Sequence, residues 1–214
     1  MLRNRSGILP VIVQPFPVGQ MKSQDITRIL HTQTPLITAR LALRPLRPDD
    51  ANDIFLCAHD PEVTRYTTWD AHRMVEDSRM FIEQTIAAYQ RGENTELAME
   101  LKIEKKVIGT CGLIAVSAEH CRGEIAFAMA KQHWGGGLMA EALKATLAFG
   151  YGALQLNRIW AKVDPDNINT IRTLRRAGWQ FEGTLRQDVK VRGTFRDVNM
   201  YSLLKKEFAT SSMK

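Results

Sequence analysis

The segment QHWGGGLMAEAL, residues 132–143, places three consecutive glycines between two stretches with different hydrophobic patterns. The preceding residues 124–129 are short and almost wholly apolar, which is typical of a buried strand, although so short a run does not exclude helix. After the glycines, apolar side chains recur at four-residue spacing from Leu143 to Tyr151, which indicates a helix. The segment therefore predicts a strand, a glycine-rich turn and a helix in succession.

A helix that begins directly after glycines is suited to binding an anion. The N–H groups of its first turn have no partners within the helix, and the positive end of the helix dipole lies there. Glycines let a phosphate approach the backbone closely. The alternative is a glycine-rich turn without a ligand. The turn lacks the Gly-Lys-Ser/Thr ending of nucleoside triphosphatases and the G-x-G-x-x-G of dinucleotide folds. We therefore interpret it as a phosphate or pyrophosphate cradle of another kind.

Further segments in a fixed order resemble one enzyme family. Residues 158–163 alternate as a strand does, and a short basic helix follows them. The segments are TARLALR (38–44), IGTCGL (108–113), WGGGLMAEAL (134–143), and DPDN (164–167) through GWQFEG (178–183). With these segments the chain resembles the GNAT superfamily of acyl-CoA-dependent N-acetyltransferases. Within it, the chain resembles the RimJ/RimL branch, which is named for acetylating ribosomal-protein N-termini. The resemblance runs from about Leu36 to about Phe208.

The resemblance implies an α/β (α+β) architecture, the GNAT fold. Its mixed central sheet has about seven strands, mostly antiparallel, splayed at the acetyl-CoA loop and flanked by about four helices. The hydrophobic pattern predicts helices at residues 48–58, 74–91 and 138–152, and a further one before Gly178. It also predicts two hairpins, one at residues 97–116 and one at 184–204.

The resemblance further implies that acetyl-CoA is the cosubstrate and that the glycine turn binds its pyrophosphate. The residues expected to bind it are Phe127, Ala128, Met129, Trp134, Gly135, Gly136, Gly137, Leu138, Met139, Ala140, Asn167 and Thr170. The side-chain amide of Asn167 offers a donor and an acceptor to the pantetheine arm. Its alternative role is to cap the following helix, which asparagine does well.

The family's loop pattern, Q/R-x-x-G-x-G/A, can be aligned with the sequence in two registers, a literal one and one that departs from the pattern at Trp134 and at Met139. Gln132, Gly135 and Gly137 satisfy it literally. The branch's own W-G-x-G pattern instead puts Trp134 in the Q/R place and Gly137 at the first required glycine. We prefer the second register, because it begins the helix at Leu138. In either register the same backbone amides point at the same place.

The reaction that the resemblance implies, attack of an amine on a thioester, requires a base. Glu124 is our first candidate, because it begins the strand that leads into the glycine turn. It also resembles the catalytic glutamate of the superfamily's histone acetyltransferases. Its alternative is a solvated glutamate at a strand end. Glu100 is the second candidate, although ordinary strand alternation could equally turn it outward. Many family members carry a tyrosine as proton donor where this chain has Leu174, so Thr170, a water or solvent must serve.

The composition fits a single globular α/β domain. The chain has 214 residues, of which 44% are hydrophobic and 24% are charged. Cys57, Cys111 and Cys121 show no metal-binding or paired spacing, so we expect no metal site, no disulfide framework and a cytoplasmic location. No apolar run approaches the ~18 residues that a membrane span requires.

The first 34 residues differ from the rest of the chain. An apolar run there faintly resembles a signal peptide, but prolines at positions 10, 15 and 17 interrupt it and no small-residue cleavage site follows. We expect residues 1–34 to form a flexible or loosely docked extension that contributes little to the core, and residues 35–214 to form the acetyltransferase domain.

The identity of the amine acceptor is not fixed by the sequence. Our first hypothesis is a protein N-terminal α-amine, such as that of a ribosomal protein. The alternatives are a small amine, such as an antibiotic, polyamine or aminoacyl compound, and a CoA-binding module without catalysis. The formal net charge of +6 favours a polyanionic ligand. No RNA-binding motif accompanies it, so we expect no stable nucleic-acid binding. We expect a monomer or a homodimer and no membrane partner.

Overall fold

The computed structural model describes residues 22–211, which fold around one eight-stranded sheet. Its α-helices are Ser23–Gln33 (α1), Ala51–Ala58 (α2), Pro61–Thr64 (α3), Val75–Arg91 (α4), Leu138–Gly152 (α5), Ile168–Arg176 (α6) and Lys205–Ser211 (α7). Its strands are Leu36–Ile37 (β1), Leu41–Pro45 (β2), Leu97–Leu101 (β3), Lys106–Ser117 (β4), Arg122–Met129 (β5), Arg158–Val163 (β6), Gln180–Val191 (β7) and Thr194–Leu204 (β8). Short 3-10 turns precede α2 and α5, at Pro48–Asp50 and Lys131–His133.

The sheet has the order β1-β2-β3-β4-β5-β6-β8-β7, and every neighbouring pair except β5 and β6 is antiparallel. This arrangement confirms the expected fold class. The described residues contain seven α-helices rather than about four. The three additional helices are α1, α3 and α7. Because α3 has four residues, it is too short to show a helical period in the sequence. None of the helices in the described part of the chain combines the length and apolar character that crossing a membrane requires.

Helices pack against both faces of the sheet. On β3, Leu97 and Met99 belong to the larger buried cluster, which includes the apolar side of α5. The residue between them, Ala98, belongs to a second cluster with Ile54 of α2 and Ile82 of α4. Since successive side chains of a strand point to opposite faces, α5 covers one face of the sheet and the pair α2 and α4 covers the other.

The parallel pair β5 and β6 separates along its length. Paired positions run from Arg122 with Arg158 to Glu124 with Trp160, three pairs in all. Beyond Glu124, β5 continues to Met129 paired only with β4, whereas β6 continues paired with β8. A wedge-shaped gap therefore opens between β5 and β6, next to the end of β5 that leads into the glycine turn. This gap is the splay that we expected.

Helix α1 lies within the segment that we expected to contribute little to the core, and for its residues that prediction is wrong. Ile26, Ile29 and Leu30 are all buried in the larger cluster. Their spacing of three and four residues places them on one face of the helix. The part of the prediction that concerns residues 1–21 lies outside the described residues.

Helix α1 is also tied to α4. The Thr27 hydroxyl donates to the backbone oxygen of Tyr89 over 2.7 Å. Helix α4 ends at Gly92 with a φ of +69°, and a Cβ there would lie 2.1 Å from the backbone oxygen of Ser23. A glycine is thus required where the two helices meet. We propose that the folded domain begins at α1 rather than at residue 35.

Replacing Leu30 with alanine should destabilise the protein by about 2–5 kcal/mol, because it leaves a cavity in a packed core. His31→Ala, an exposed change on the same helix, should alter the stability by no more than about 0.5 kcal/mol. Urea unfolding measures both. Equal unfolding midpoints for the two variants would show that α1 is not part of the cooperative core.

Candidate active site

The glycine turn has the backbone geometry of an anion cradle. Gly135 and Gly137 have φ angles of 78° and 77°, in the left-handed region that side chains disfavour. Gly137 is the N-cap of α5, and the first backbone bond of that helix runs from the Glu141 N–H to the Gly137 oxygen over 3.1 Å. The N–H groups of residues 138–140 therefore precede the helical bonding pattern and remain as donors. Helix α5 begins at Leu138, as the second loop register predicts.

The space beside Gly135 and Gly136 is open among the described atoms. A Cβ built on Gly135 would meet none of them within 4 Å, and one on Gly136 would meet only the His133 oxygen, at 4.0 Å. Open space, free N–H groups and the positive end of α5 together fit a pyrophosphate. These residues therefore suit the phosphate part of acetyl-CoA.

Arg40, on the turn between β1 and β2, braces the glycine turn from a distant part of the sequence. Its Nη1 donates to the Gly136 oxygen over 2.8 Å, and its Nη2 lies 3.6 Å from the position that a Cβ on Gly137 would take. The guanidinium thus adds a positive charge beside the cradle. Sequence reasoning included Arg40 in a strand motif but did not connect it with the turn, since 96 residues separate Arg40 from Gly136.

Glu141 holds Arg40 in this position. It accepts from the Arg40 Nε and backbone N–H, over 2.8 and 2.7 Å, and from the Thr38 hydroxyl over 2.6 Å. Burial alone would raise the pKa of Glu141. The hydrogen bonds from Thr38 and Arg40 outweigh burial and hold this pKa below its usual range, so the carboxylate is charged at neutral pH. Glu141, in the first turn of α5, therefore also fixes the geometry of the loop.

Trp134 links the turn to the strand before it. Its indole N–H donates to the Met129 oxygen over 2.7 Å, while 41% of the residue is exposed. The Met129 oxygen is therefore already hydrogen-bonded. We expected both residues to bind the cosubstrate. Their mutual bond gives them a defined structural role, and contact with acetyl-CoA stays a prediction.

The end of β5 presents backbone groups to the wedge. The Ala130 N–H donates to the Ile108 oxygen over 2.9 Å, which fixes the alternation of the antiparallel ladder with β4. By this alternation the amides of Ala126 and Ala128 face β4, and those of Phe127 and Met129 face the wedge. The Phe127 backbone is thus placed to bind the amide-containing pantetheine arm.

Asn167 is the N-cap of α6, and its Oδ1 accepts from the Thr170 N–H over 3.2 Å. The capping role that we considered is confirmed. The Asn167 amide nitrogen and the Thr170 hydroxyl take no part in the cap, and their contact with the cosubstrate remains a prediction. Leu174, which stands where many family members have tyrosine, is fully buried in the core. In this chain that position serves packing.

Glu124 lies half-buried at the point where β5 and β6 separate, opposite Trp160. Burial raises its pKa above the ordinary value, while Lys162 and the Trp160 side chain act in the opposite direction. Alternation along β5 puts Glu124 on the same face as Ala126 and Ala128. The carboxylate therefore has the position and the raised pKa that suit a general base.

Glu100, the second candidate for the base, is in an ion pair. Its Oε2 accepts from the Arg44 Nε over 2.7 Å, and the other two nitrogens of Arg44 bind both oxygens of Asp50 over 2.8 Å. All three side chains are largely buried. The hydrogen bond with Asp50 is the main cause that raises the pKa of Arg44. A carboxylate that balances a buried guanidinium is needed for stability, so the geometry favours a structural role for Glu100.

Gly137→Val should abolish acetyl-CoA binding in a protein that still folds, because a β-branched residue is strained at positive φ and obstructs the cradle. Gly152→Ala, at the other end of α5 where a Cβ meets no described atom, should bind normally. Calorimetric titration with acetyl-CoA tests both. Unchanged affinity of the folded Gly137 variant would place the cosubstrate elsewhere.

Comparison with known proteins agrees with this geometry. The model of the acetyltransferase (GNAT) domain matches residues 40–180. An uncharacterized N-acetyltransferase of Bacillus licheniformis, p20, is 37% identical over 81% of this chain and 98% of its own. YoaA of Bacillus subtilis, also named an uncharacterized N-acetyltransferase, is 36% identical over 79% of this chain and 96% of its own.

The fold also matches that of Mycobacterium smegmatis RimJ, whose structure was solved in complex with CoA-disulfide. The TM-score is 0.72 at 23% identity, and the match covers 78% of this chain and 83% of that one. At this identity the match shows the shared fold alone. The family assignment rests on the domain model and on the two Bacillus relatives. The chain therefore belongs to the GNAT family of acetyltransferases, whose members use acetyl-CoA as the acetyl donor.

Proposed function

We propose that this chain acetylates the N-terminal α-amine of a protein, with ribosomal proteins as the first candidates. The observation that supports a transferase site most directly is the wedge between β5 and β6 beside the glycine turn. A pantetheine arm along residues 127–129 would bring the thioester next to the sheet face that carries Glu124. An amine bound on that face would then meet the thioester in a fixed orientation, which is itself a large rate effect.

In the proposed reaction the amine attacks the thioester carbonyl directly. The ammonium loses a proton to Glu124, directly or through a water, and the freed lone pair forms the new N–C bond. The C–S bond then breaks, and the acylated nitrogen releases its second proton. CoA leaves as a thiolate that takes up a proton from Thr170, from a water or from solvent, and the proton released by the nitrogen replaces the one taken. No covalent enzyme intermediate is needed. Binding acetyl-CoA and the amine side by side, with a base beside them, is sufficient.

Two distant relatives have names that state an acceptor. The ribosomal-protein-serine acetyltransferase of Escherichia coli is 23% identical over 80% of this chain. The spermidine N(1)-acetyltransferase of the same species is 22% identical over 72% of this chain. The first supports a protein amine, and the second supports a small amine as the alternative. Since both identities are low, the acceptor must be identified by experiment.

A panel of acceptors separates these two functions. Peptides with varied N-terminal residues, spermidine and aromatic amines are each incubated with acetyl-CoA, and CoA release is followed as free thiol. We expect the peptides to be acetylated at the α-amine, with the product mass raised by one acetyl group. Acetylation of small amines alone would contradict the protein-acceptor proposal and leave the transferase activity established.

Glu124→Gln should lower the turnover number by about two to four orders of magnitude, which is the usual effect of removing a general base. The KM for acetyl-CoA should barely change. Because burial raises the pKa of Glu124, wild-type activity should rise with pH through a pKa above that of an ordinary glutamate. This rise should be absent from the variant.

Glu119→Gln provides the control for the Glu124 variant, because Glu119 is an exposed carboxylate between β4 and β5. It should behave as wild type in steady-state kinetics between about pH 4 and pH 9, a range that includes the ordinary pKa values of glutamate and histidine. A Glu124 variant that keeps both the wild-type turnover and the wild-type pH profile would show that Glu124 is structural.

A further inference from the structure

A cavity of about 370 Å³ lies on the sheet face covered by α2 and α4. Most of its lining is apolar or aromatic, and no lysine or arginine is among the lining residues. The lining includes the aromatic side chains of Trp69 and Phe81 and the polar side chains of His72, Asp77, Glu96 and Thr110. Its size and apolar walls are typical of a small-molecule site.

The cavity shares a wall with the proposed acetyl-CoA site. Residues 126–128 line the cavity, and they belong to the part of β5 that borders the wedge. A molecule in the cavity therefore lies against the strand along which the thioester would be placed. The cavity is in the right place for the acceptor amine.

Glu96 is a carboxylate inside this cavity that has no cationic partner. Its Oε1 accepts from the Thr110 hydroxyl over 2.7 Å, and no ion pair found among residues 22–211 involves Glu96. Neighbouring β4 has a glycine at Gly112, where a Cβ would lie 2.1 Å from the Glu96 Cα. The close approach of β4 helps to fix Glu96. Burial raises the pKa of Glu96, while hydrogen bonds with the side chains of Thr110 and Asn94 act in the opposite direction.

The other titratable groups of the lining already have partners. Asp77 accepts from the backbone N–H groups of Arg73 and Met74 over 2.7 and 3.1 Å at the start of α4, and these bonds lower its pKa. His72 is hydrogen-bonded through Nδ1 to the Ser78 hydroxyl over 2.7 Å. Burial lowers the pKa of His72, so its ring is neutral at pH 7. Glu96 is the lining carboxylate that lacks such ties to the backbone.

We propose that Glu96 binds the ammonium group of the acceptor, and that the acceptor is a primary amine with one positive charge next to an apolar or aromatic group. This inference rests on the proposed function and names the substrate class of the same site. A carboxylate binds an ammonium through charge-assisted hydrogen bonds, and the apolar walls favour a hydrophobic body. An arylalkylamine and a peptide that begins with an apolar residue share this chemistry.

The same lining disfavours a polyamine. Spermidine carries further ammonium groups along its chain, and each would require a partner within the cavity. An unpaired charge against apolar walls loses its hydration without compensation. Since Glu96 has no cationic partner of its own and can balance one ammonium group, the cavity predicts a preference for phenylethylamine, or for a peptide beginning with phenylalanine, over spermidine.

Two variants test the role of Glu96. Glu96→Gln keeps the shape of the side chain and removes its charge, and Thr110→Val removes the hydroxyl that orients it. We expect Glu96→Gln to raise the KM for phenylethylamine by about ten- to a hundredfold, the usual difference between charged and neutral hydrogen bonds. Thr110→Val should raise it less. The KM for acetyl-CoA should stay within about twofold, because neither change reaches the glycine turn.

Glu83→Gln is the matched control, since Glu83 is exposed on α4 and does not line the cavity. It should leave both KM values unchanged. The melting shift on adding acetyl-CoA verifies that every variant is folded. An unchanged KM for the amine in a folded Glu96 variant would overturn the proposal, whatever happens to the turnover number. A preference for spermidine over phenylethylamine and the phenylalanine-initiated peptide would overturn the proposed substrate class.

Direct binding separates this proposal from the proposed function. Calorimetry measures phenylethylamine and the phenylalanine-initiated peptide amide against the CoA-bound protein, for wild type and Glu96→Gln. Binding that depends on Glu96, without turnover, would support the pocket and contradict the transferase assignment of this site. Turnover with amine binding that is independent of Glu96 would contradict the pocket and leave the transferase assignment intact. Comparing the affinities of phenylethylamine and of the peptide amide shows which of the two kinds of amine binds more tightly.

Discussion

The end of the pairing between β5 and β6 is the constraint on which the rest of the site depends. Parallel strands that stay paired satisfy each other's backbone groups, and no ligand can enter between them. Here the pairing covers three positions and stops at Glu124 and Trp160. The freed backbone of β5 faces the wedge, the glycine turn follows directly, and the side chains of alternate β5 residues border the cavity. Cosubstrate and acceptor can therefore meet at one strand.

The glycine turn is held in place by contacts from far away in the sequence. Two of its glycines have positive φ, so the local sequence permits the turn but does not by itself fix its position. Arg40 supplies the fixed contact through the Gly136 oxygen, and Glu141 fixes Arg40 in turn. Thus the turn between β1 and β2, at one side of the sheet and remote from the reaction, still helps to determine the shape of the phosphate site.

The sequence predicted those helices and strands whose hydrophobic pattern continues over several consecutive residues. Helix α5 begins at Leu138 as its glycine and apolar periodicity indicate, and β6 spans the predicted residues 158–163. Helix α1 was not predicted. The spacing of Ile26, Ile29 and Leu30 covers little more than one helical turn, and the segment before it is interrupted by prolines. Roles that arise from contacts between residues far apart in the sequence, such as that of Arg40, were not predicted.

Glu100 and Glu96 illustrate why the role of a charged residue is not predicted from its local sequence. Both are glutamates in or next to the same apolar strand, and the sequence pattern led us to Glu100 as a candidate base and not to Glu96. In the fold Glu100 meets the buried Arg44, whereas Glu96 faces the cavity beside Thr110. The difference arises from strand pairing and from helices α2 and α4. It becomes visible only when the charged partners of each carboxylate are known.

Amide hydrogen exchange with and without acetyl-CoA tests the central claim most directly, because it reports on the backbone groups that the splay leaves free. We expect acetyl-CoA to slow amide exchange at residues 127–129 of β5 and at residues 135–140 of the glycine turn. Amides of the β7 and β8 hairpin tip, at residues 191–194, should be unaffected. If acetyl-CoA slows exchange elsewhere and leaves these two segments unchanged, its proposed position along β5 and the glycine turn is contradicted.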